Sequence, residues 1–317
     1  MKIAFLGLGV MGFPMAGHLA TKGAEKGLEV CVYNRSTAKA AAWLERFPGT
    51  AAQTPAEAVR GADVAALCVG NDDDVRQVVC AEEGVLAGLA SGALIIDHTT
   101  ASAALARELH ERSAAHGVAF VDAPVSGGQA GAEGGTLTIM CGGDPEAFDR
   151  AEPVLDCYAR CARLLGPAGS GQLAKMVNQV CIAGVVQGLS EAMLLSERAG
   201  LDTAAVIEVI SQGAAQSWQM QNRYRTMLAG EYEHGFAVDW MRKDLAIVLA
   251  EAERLGLELP VAALVDGYYA DVQSMGGARW DTSSLFARLQ AVHEGSVDGG
   301  RRARSSDGGD GSGGGAS

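Results

Sequence analysis

The sequence predicts an α/β fold, in which a doubly wound N-terminal sheet is followed by an all-α C-terminal domain. Three observations lead to this prediction. Short apolar runs alternate with helical patterns through the first half of the 317-residue chain, as in a parallel sheet that helices cover on both faces. A Gly-x-Gly-x-x-Gly motif follows the first apolar run and opens the first helical pattern. Beyond about residue 166, only helical patterns follow.

The elements of the first half are predicted from apolar runs of strand length and from the helical stretches between them. The predicted strands are 3–6, 29–33, 64–69, 93–97 and 118–121. The predicted helices are 11–22, 38–47, 74–81 and 103–116.

The second half is predicted to be helical because residues 172–199 contain almost no helix breaker. Further helices are predicted at 204–211, 239–255 and 261–275. We therefore expect an α/β domain over 1–166, an all-helical domain over 167–293 and a tail over 294–317. The tail is rich in Gly, Ser, Asp and Arg and has too few apolar residues to offset its chain entropy, so we predict that it is disordered.

Composition excludes some classes of function. The net charge of −13 argues against a protein that binds nucleic acid or anionic membranes non-specifically, because such binding depends on clustered Lys and Arg. No apolar run reaches the roughly 18 residues of a membrane helix. The N-terminus enters a short strand directly, without a signal-peptide pattern, so we expect a cytoplasmic protein.

Cysteine and histidine spacing predicts neither disulfides nor a metal site. The seven cysteines are an odd number, form no CxxC pair and lie mostly in apolar runs, which predicts small buried side chains in a reducing compartment. The six histidines form no HxH or HxxxH pair. We therefore predict no metal.

The glycine motif predicts a phosphate loop in a Rossmann-type, NAD(P)-binding domain. Gly7 permits a tight turn, Gly9 lets the backbone approach a pyrophosphate, and Gly12 lets the helix pack closely on the strand. The helix N-terminus offers N–H groups to the anion. The predicted loop comprises Gly7, Leu8, Gly9, Val10, Met11 and Gly12.

Two residues after the second predicted strand favour NADP over NAD. An NAD enzyme usually carries an acid there, which binds the 2′-hydroxyl of the adenosine ribose. Asn34 lacks the carboxylate that would repel a 2′-phosphate, and Arg35 can pair with that phosphate. The alternative is that Arg35 is a solvated surface charge and that NAD is used.

Four blocks of the sequence resemble one known family. They are Gly7 to Met15 (GLGVMGFPM), Asp122 to Gly143 (beginning DAPVSGG), Gly166 to Asn178 (GPAGSGQLAKMVN) and Lys243 to Leu245 (KDL). In order and spacing they are similar to the motifs of the 3-hydroxyisobutyrate dehydrogenase, or β-hydroxyacid dehydrogenase, family. The resemblance extends from residue 1 to about residue 293.

Lys175 is the candidate acid/base. Hydride transfer to a carbonyl generates an alkoxide that needs a proton, and a lysine whose pKa is lowered by burial and by a nearby oxidised nicotinamide can supply it. Lys175 lies near the start of the long helix, after a Gly/Ser-rich turn that would expose it to a cleft. Asn178 and Gln179 share its helix face. The alternative is an ordinary surface lysine.

One position departs from the family pattern. The family commonly has Asn directly after the position of Asn178, whereas this chain has Gln179. The longer side chain displaces the amide by about one methylene. Either Asn178 or Gln179 is therefore the functional amide that orients the lysine or binds substrate.

A carboxylate-binding loop is predicted at Ser126, Gly127 and Gly128, which follow a strand end. The glycines leave backbone N–H groups accessible and Ser126 adds a hydroxyl donor. The alternative is a tight turn without a ligand. The resemblance further implies that Thr100 lies near the nicotinamide ribose and that Lys243 approaches the cofactor. Alternatively, Lys243 only pairs with Asp244.

The resemblance, together with these residues, implies a dehydrogenase that moves a hydride between NADP or NAD and a small 3-hydroxy acid, such as 3-hydroxyisobutyrate, or its semialdehyde. An NADPH-dependent reductase of small aldehyde acids, of the glyoxylate or succinic semialdehyde type, is the alternative within enzymes. A non-catalytic cofactor-binding scaffold is the alternative outside them. Imine reductases share the architecture but usually lack the lysine. The resemblance and the apolar helices also imply a homodimer or homotetramer.

Overall fold

The computed structural model describes residues 1–295, and the predicted tail from residue 296 onwards lies outside these described residues. Its nine strands are β1 (Lys2–Leu6), β2 (Glu29–Tyr33), β3 (Thr50–Ala51), β4 (Val64–Leu67), β5 (Leu94–Asp97), β6 (Ala119–Asp122), β7 (Val125–Ser126), β8 (Leu137–Gly143) and β9 (Ala159–Leu164).

The fourteen α-helices of the described residues surround this sheet and form the C-terminal part. The first eight are α1 (Gly12–Thr21), α2 (Thr37–Leu44), α3 (Pro55–Ala58), α4 (Asp72–Cys80), α5 (Val85–Gly88), α6 (Ala103–Ala115), α7 (Gly128–Gly134) and α8 (Pro145–Leu155). The other six are α9 (Ser170–Arg198), α10 (Thr203–Ile210), α11 (Trp218–Ala229), α12 (Val238–Arg254), α13 (Pro260–Ser274) and α14 (Leu285–His293).

The predicted fold class is confirmed. The strands lie in the order β3-β2-β1-β4-β5-β6-β8-β7, with β9 paired to β8. Strands β1 to β6 are parallel, and helices cover both faces, because one apolar cluster lies on each side of the sheet. All residues of β4 and β5 are buried, which explains why these strands are continuous apolar runs.

The sheet departs from the predicted parallel arrangement at one edge. Strand β8 runs antiparallel to β6 and β7, and β9 runs parallel to β8. The sequence prediction contains no strand after residue 121, because β8 ends in two glycines and the outer residues of β9 are two arginines and a cysteine. Two C-terminal helices, α11 and α14, were also not predicted.

The change from strands to helices falls between residues 164 and 170. Helix α9 then runs for 29 residues through the helical part and contacts α12, α13 and α14. By length and composition alone it is apolar enough to cross a membrane, contrary to the sequence expectation. Half of its most apolar window is buried inside the protein, and a core helix passes the same test.

The prediction that the cysteines are buried holds only in part. All seven are free thiols. Cys31, Cys141 and Cys157 are buried, Cys68 and Cys80 are partly buried, and Cys161 and Cys181 are exposed. The two exposed cysteines lie on β9 and α9, on faces turned away from the apolar clusters.

Candidate active site

The glycine loop joins β1 to α1 with the backbone that a phosphate loop needs. Gly7 has φ +98°, and a Cβ there would clash with the carbonyl oxygen of Cys68. A Cβ on Gly12 would clash with the carbonyl oxygen of Gly7, so the helix can start this close to the strand only with glycine. At Gly9 a Cβ would meet nothing within 4 Å, which leaves open space beside the backbone.

The N–H groups of this loop are available to an anion. Among residues 1–295, no protein acceptor binds the N–H of Gly9, Val10 or Met11. Val10 is 55% exposed, and α1 begins without a side-chain cap. Free donors at a helix N-terminus, with open space beside Gly9, fit the pyrophosphate of a dinucleotide.

Asn34 and Arg35 follow β2, beside the glycine loop. Asn34 Oδ1 accepts a hydrogen bond of 2.9 Å from the N–H of Leu8, and its Nδ2 donates to the Ser36 carbonyl at 3.0 Å. The amide therefore holds the two loops together. The Arg35 side chain is 84% exposed and lies 3.6 Å from Asp74, on α4.

The N-terminal end of α9 is fixed to the sheet by buried polar groups. The Asp122 carboxylate, at the end of β6, accepts hydrogen bonds from the N–H groups of Gly169 and Gln172 at 2.8 and 2.9 Å. The Gln172 side chain accepts from the N–H of Ala101 and donates to the carbonyl of Thr99. Burial raises the pKa of Asp122 to about 6, although these hydrogen bonds oppose the rise.

Lys175 lies one helical turn further along α9, and it is buried, with 6% of its surface exposed. The preceding turn, Gly169 to Gln172, folds against β6, and the burial of Lys175 excludes the alternative of an ordinary surface lysine. Burial lowers the pKa of Lys175 to about 8; the Asp244 carboxylate opposes this, and the Lys243 ammonium adds to it. A lysine in this state can both give and take a proton near neutral pH.

A chain of polar contacts runs past Lys175 from the loop at Ser126 to the loop at Thr100. Its contacts are Ser126 Oγ to Asn178 Oδ1 (3.4 Å), Asn178 Nδ2 to Gln179 Oε1 (2.8 Å), Gln179 Nε2 to Asp244 Oδ2 (2.7 Å), Asp244 Oδ1 to Lys243 Nζ (3.0 Å) and Lys243 Nζ to the Thr100 carbonyl (2.5 Å). The chain therefore connects every predicted catalytic residue except Lys175, together with Ser126, Thr100 and Lys243.

The two amides of α9 have different surroundings. Gln179 is 1% exposed and donates to Asp244 and, at 3.5 Å, to the sulfur of Met241. Asn178 is only partly buried and faces the Ser126 hydroxyl. The longer side chain at position 179 thus reaches α12, whereas Asn178 points towards the predicted substrate loop.

Asp244 lies between the predicted site residues Gln179 and Lys243, and sequence reasoning treated it only as an ion-pair partner. It is 2% exposed. Lys243 Nζ lies 3.0 Å from Oδ1, but at an angle that forms no hydrogen bond, so Oδ1 has a charged neighbour and no donor within the described chain. Its spacing from Lys243, inside the KDL block, is the sequence signal that could have identified it.

Lys243 reaches across from α12 to the sheet. Its ammonium bonds the carbonyls of Thr100 and Gly70, after β5 and β4, and pairs with Asp244. Lys243 therefore pairs with Asp244, as the alternative states, but it also contacts two carbonyls of the sheet. The ion pair does not exclude the predicted approach to a cofactor, because both carbonyls lie at the carboxyl edge of the sheet, where open α/β sheets bind ligands.

The predicted carboxylate loop joins β7 to α7. Gly127 has φ +136° and Gly128 has φ +61°, and a Cβ on Gly128 would meet nothing within 4 Å. The buried His98 supports the segment before this loop, since its Nδ1 lies 2.8 Å from the Ala123 carbonyl and its Nε2 lies 2.8 Å from the Tyr158 hydroxyl. Burial lowers the pKa of His98 to about 4, so the ring is neutral.

Within residues 1–295, no group of three or more His, Cys, Asp or Glu side chains has the arrangement of a metal site. The charged groups that act on Lys175 are the Asp244 carboxylate and the Lys243 ammonium.

Two family models together match almost all of the described chain. The model for the NAD binding domain of 6-phosphogluconate dehydrogenase matches residues 2–166. The model for the NAD-binding region of NADP-dependent 3-hydroxyisobutyrate dehydrogenase matches residues 169–289. The chain belongs to the 3-hydroxyisobutyrate dehydrogenase family. It is an NAD(P)-dependent β-hydroxyacid dehydrogenase, an oxidoreductase that acts on CH–OH groups.

Similar proteins cover nearly the whole length of this family member. An uncharacterized oxidoreductase of Shewanella frigidimarina is 61% identical over 91% of this chain and 98% of its own. The 2-hydroxy-3-oxopropionate reductase of Escherichia coli is 30% identical over 92% and 98%. The structure of Mycobacterium tuberculosis 3-hydroxyisobutyrate dehydrogenase with L-serine is 31% identical over 92% and 99%, with a TM-score of 0.79.

Proposed function

We propose that this enzyme transfers a hydride between NADP and a small 3-hydroxy acid of the 3-hydroxyisobutyrate type, or its semialdehyde, with Lys175 as the general acid and base. One observation carries the proposal. Lys175 is buried, and its pKa is lowered to about 8. The polar contacts around it lead to the predicted substrate loop at Ser126 on one side and to Thr100, which is predicted to lie near the nicotinamide ribose, on the other.

Lys175 donates or accepts the proton of the reaction. The bound nicotinamide supplies or takes the hydride at the reacting carbon. In the reductive direction, Lys175 Nζ donates a proton to the carbonyl oxygen, which becomes a hydroxyl. In the oxidative direction, neutral Nζ takes the hydroxyl proton as the carbonyl forms. A pKa of about 8 makes both roles accessible.

Ser126, Gly127 and Gly128 bind the substrate carboxylate in this proposal. The Ser126 hydroxyl and the N–H groups of the two glycines are donors, and the free space at Gly128 leaves room for the anion. Asn178, beside Ser126, is the amide that contacts substrate. Gln179 does not contact the substrate but holds Asn178 in place. Its amide oxygen accepts a hydrogen bond from Asn178, and its amide nitrogen donates to Asp244.

The loop from Gly7 to Gly12 binds the pyrophosphate of the cofactor. Thr100 and Lys243 lie on the nicotinamide side, and Asn34 and Arg35 on the adenosine side. The preference for NADP over NAD rests on the absence of a carboxylate at Asn34 and on the exposed guanidinium of Arg35, which can pair with a 2′-phosphate.

A reductase of small aldehyde acids is the second candidate. The 30% identity to a 2-hydroxy-3-oxopropionate reductase over almost the whole chain favours it. The same residues serve both candidates, because the reduction of an aldehyde acid also needs a carboxylate-binding loop and a proton for the carbonyl oxygen. The two candidates differ in the side chain of the acid and in the direction of the reaction.

Self-association and location in the cell are also proposals. We propose a homodimer or homotetramer in the cytoplasm, with no nucleic-acid or membrane partner. Large apolar side chains on the outer faces of α9 and α10 support self-association, since Leu195 and Val209 are 71% and 72% exposed. Light scattering after size-exclusion chromatography measures the oligomer, and a monomer would contradict the proposal.

A panel of substrates tests the function. Purified enzyme is assayed with 3-hydroxyisobutyrate, 3-hydroxypropionate and L-serine for oxidation, and with glyoxylate, succinic semialdehyde and 2-hydroxy-3-oxopropionate for reduction, each with NADP(H) and NAD(H). We expect the highest kcat/KM for a 3-hydroxy acid or its semialdehyde. A kcat/KM that is highest for glyoxylate or succinic semialdehyde would replace the first candidate with the second.

A further inference from the structure

Arg35 has a competing partner at the adenosine end of the site. Its guanidinium lies 3.6 Å from the carboxylate of Asp74, and the two side chains are 84% and 32% exposed. Strands β2 and β4 lie on either side of β1 in the sheet. The loops after β2 and β4 therefore flank the glycine loop, and the ion pair reaches from one flank to the other.

The position of Asp74 follows from the start of α4. Asn71 precedes the helix, and its side chain accepts a hydrogen bond of 2.9 Å from the N–H of Asp74. The Asp74 carboxylate then lies over Gly70, where a Cβ would clash with its Oδ2. The glycine thus leaves space for a carboxylate that is directed towards the end of β2.

We propose that Asp74 is a cofactor-specificity residue, which weakens the preference for NADP by competing with the 2′-phosphate for Arg35. The proposal rests on the proposed function of Arg35. A 2′-phosphate carries nearly two negative charges, and a carboxylate on the same guanidinium repels it and occupies one of its donors. NAD has no such phosphate, so the same carboxylate leaves its binding unchanged.

The expected effect is modest because both partners are exposed to solvent. Exposed ion pairs contribute little, so removing the carboxylate should tighten NADP binding by about three- to tenfold at low salt. Screening by salt should reduce this gain, since the Debye length falls to roughly 3 Å at 1 M.

The variant Asp74→Asn tests the proposal, and Asp73→Asn is its matched control. Asp73 lies one residue earlier in the same helical turn, is 98% exposed and faces Arg76 instead of Arg35. Fluorescence titration gives the Kd of NADPH and NADH. Calorimetry gives the Kd of adenosine 2′,5′-bisphosphate and AMP, independently of turnover.

In Asp74→Asn we expect tighter binding of NADPH and the bisphosphate by about three- to tenfold, with NADH and AMP changed by less than about twofold. Asp73→Asn should leave the NADPH/NADH ratio unchanged within about twofold. Asp74→Ser provides a second variant that a helix N-terminus accepts, should the amide disturb the fold.

The variants Arg35→Ala and Arg35→Ala/Asp74→Asn complete a cycle. The gain from Asp74→Asn should vanish without Arg35. An equal gain for NADH, no gain at all, or a gain that persists without Arg35 would overturn the role of Asp74. The wild type could bind NAD more tightly than NADP while Asp74→Asn still binds NADPH more tightly, and only in the presence of Arg35. That result would overturn only the proposed NADP preference and would leave the role of Asp74 in place.

Discussion

Gln179 donates a hydrogen bond of 2.7 Å to Asp244 and thereby joins helix α9 to helix α12. Both side chains are buried. Because Asp244 also pairs with Lys243 and raises the pKa of Lys175, its single carboxylate affects both lysines of the site. The protonation of Lys175 therefore depends on one buried carboxylate that a second lysine shares.

Lys175→Met should lower kcat by roughly 10²–10⁴, because that is the usual contribution of a general acid or base. Methionine keeps the length of the side chain and suits the buried site. The Kd of NADPH, measured by fluorescence, should change by less than about threefold. Val177→Ala, at a side chain that is 66% exposed two residues away, is the control and should retain activity. Near-normal turnover in Lys175→Met would remove the assignment.

The two reaction directions should have opposite pH dependence. Reduction needs protonated Lys175, so its kcat/KM should fall as the pH rises through about 8. Oxidation needs neutral Lys175, so its kcat/KM should rise through the same region. Profiles of both directions between about pH 6 and pH 10 measure this. A kcat/KM that rises with pH in both directions, or falls in both, would show that a group other than Lys175 transfers the proton.

Asp244→Asn should move the limbs of both pH profiles to lower pH. The carboxylate of Asp244 raises the pKa of Lys175, and without it burial and Lys243 lower this pKa further. A shift of about one pH unit is expected for the loss of a nearby opposite charge. Asp239→Asn is the control, since Asp239 lies on the same helix and bonds Gln273. A purely structural role for Asp244 would lower kcat without moving the limbs.

The sequence was sufficient for the fold class, because β1, β2, β4, β5 and β6 are apolar runs and their helices are amphipathic. It was insufficient for the edge of the sheet. Strand β8 ends in two glycines, strand β9 is exposed at its two arginines and its cysteine, and the two strands pair through contacts that are distant in sequence. Local patterns carry little information about such strands.

The candidate site was likewise predicted only in part from the sequence. Motif spacing predicted roles for Ser126, Lys175 and Lys243, because each stands in a distinctive block. It did not identify the partners that hold these residues. Asp122 and Gln172 fix the start of α9 through buried hydrogen bonds, and Asp244 bonds a residue 65 positions away. Such pairings depend on tertiary packing, which a single sequence does not reveal.

Substrates should need a free carboxylate. The expectation follows from Ser126 and the two glycines after it, which offer donors to an anion. The methyl ester of a good substrate should lose kcat/KM by roughly 10²-fold, the scale of a lost charge-assisted contact. Ser126→Ala should reduce this discrimination between acid and ester. Equal kcat/KM for acid and ester in the wild type would remove the carboxylate role from the loop.

The last prediction concerns the cofactor and depends on the two residues that follow β2. Asn34 brings no charge there, and Arg35 offers a forked donor to phosphate oxygens. A charge-assisted hydrogen bond contributes about 1.5–3 kcal/mol, so the wild type should prefer NADP by roughly tenfold to a hundredfold in kcat/KM. The double variant Asn34→Asp/Arg35→Ala should reverse this preference. Because Asn34 also accepts from the N–H of Leu8, which an aspartate can do equally, the glycine loop should keep its shape. Asn34→Ala is the control: it breaks that bond and should weaken both cofactors. A wild type that favours NAD would contradict the interpretation of Asn34 and Arg35, and equal loss of both cofactors in the double variant would show that Arg35 contacts the adenine instead of the phosphate.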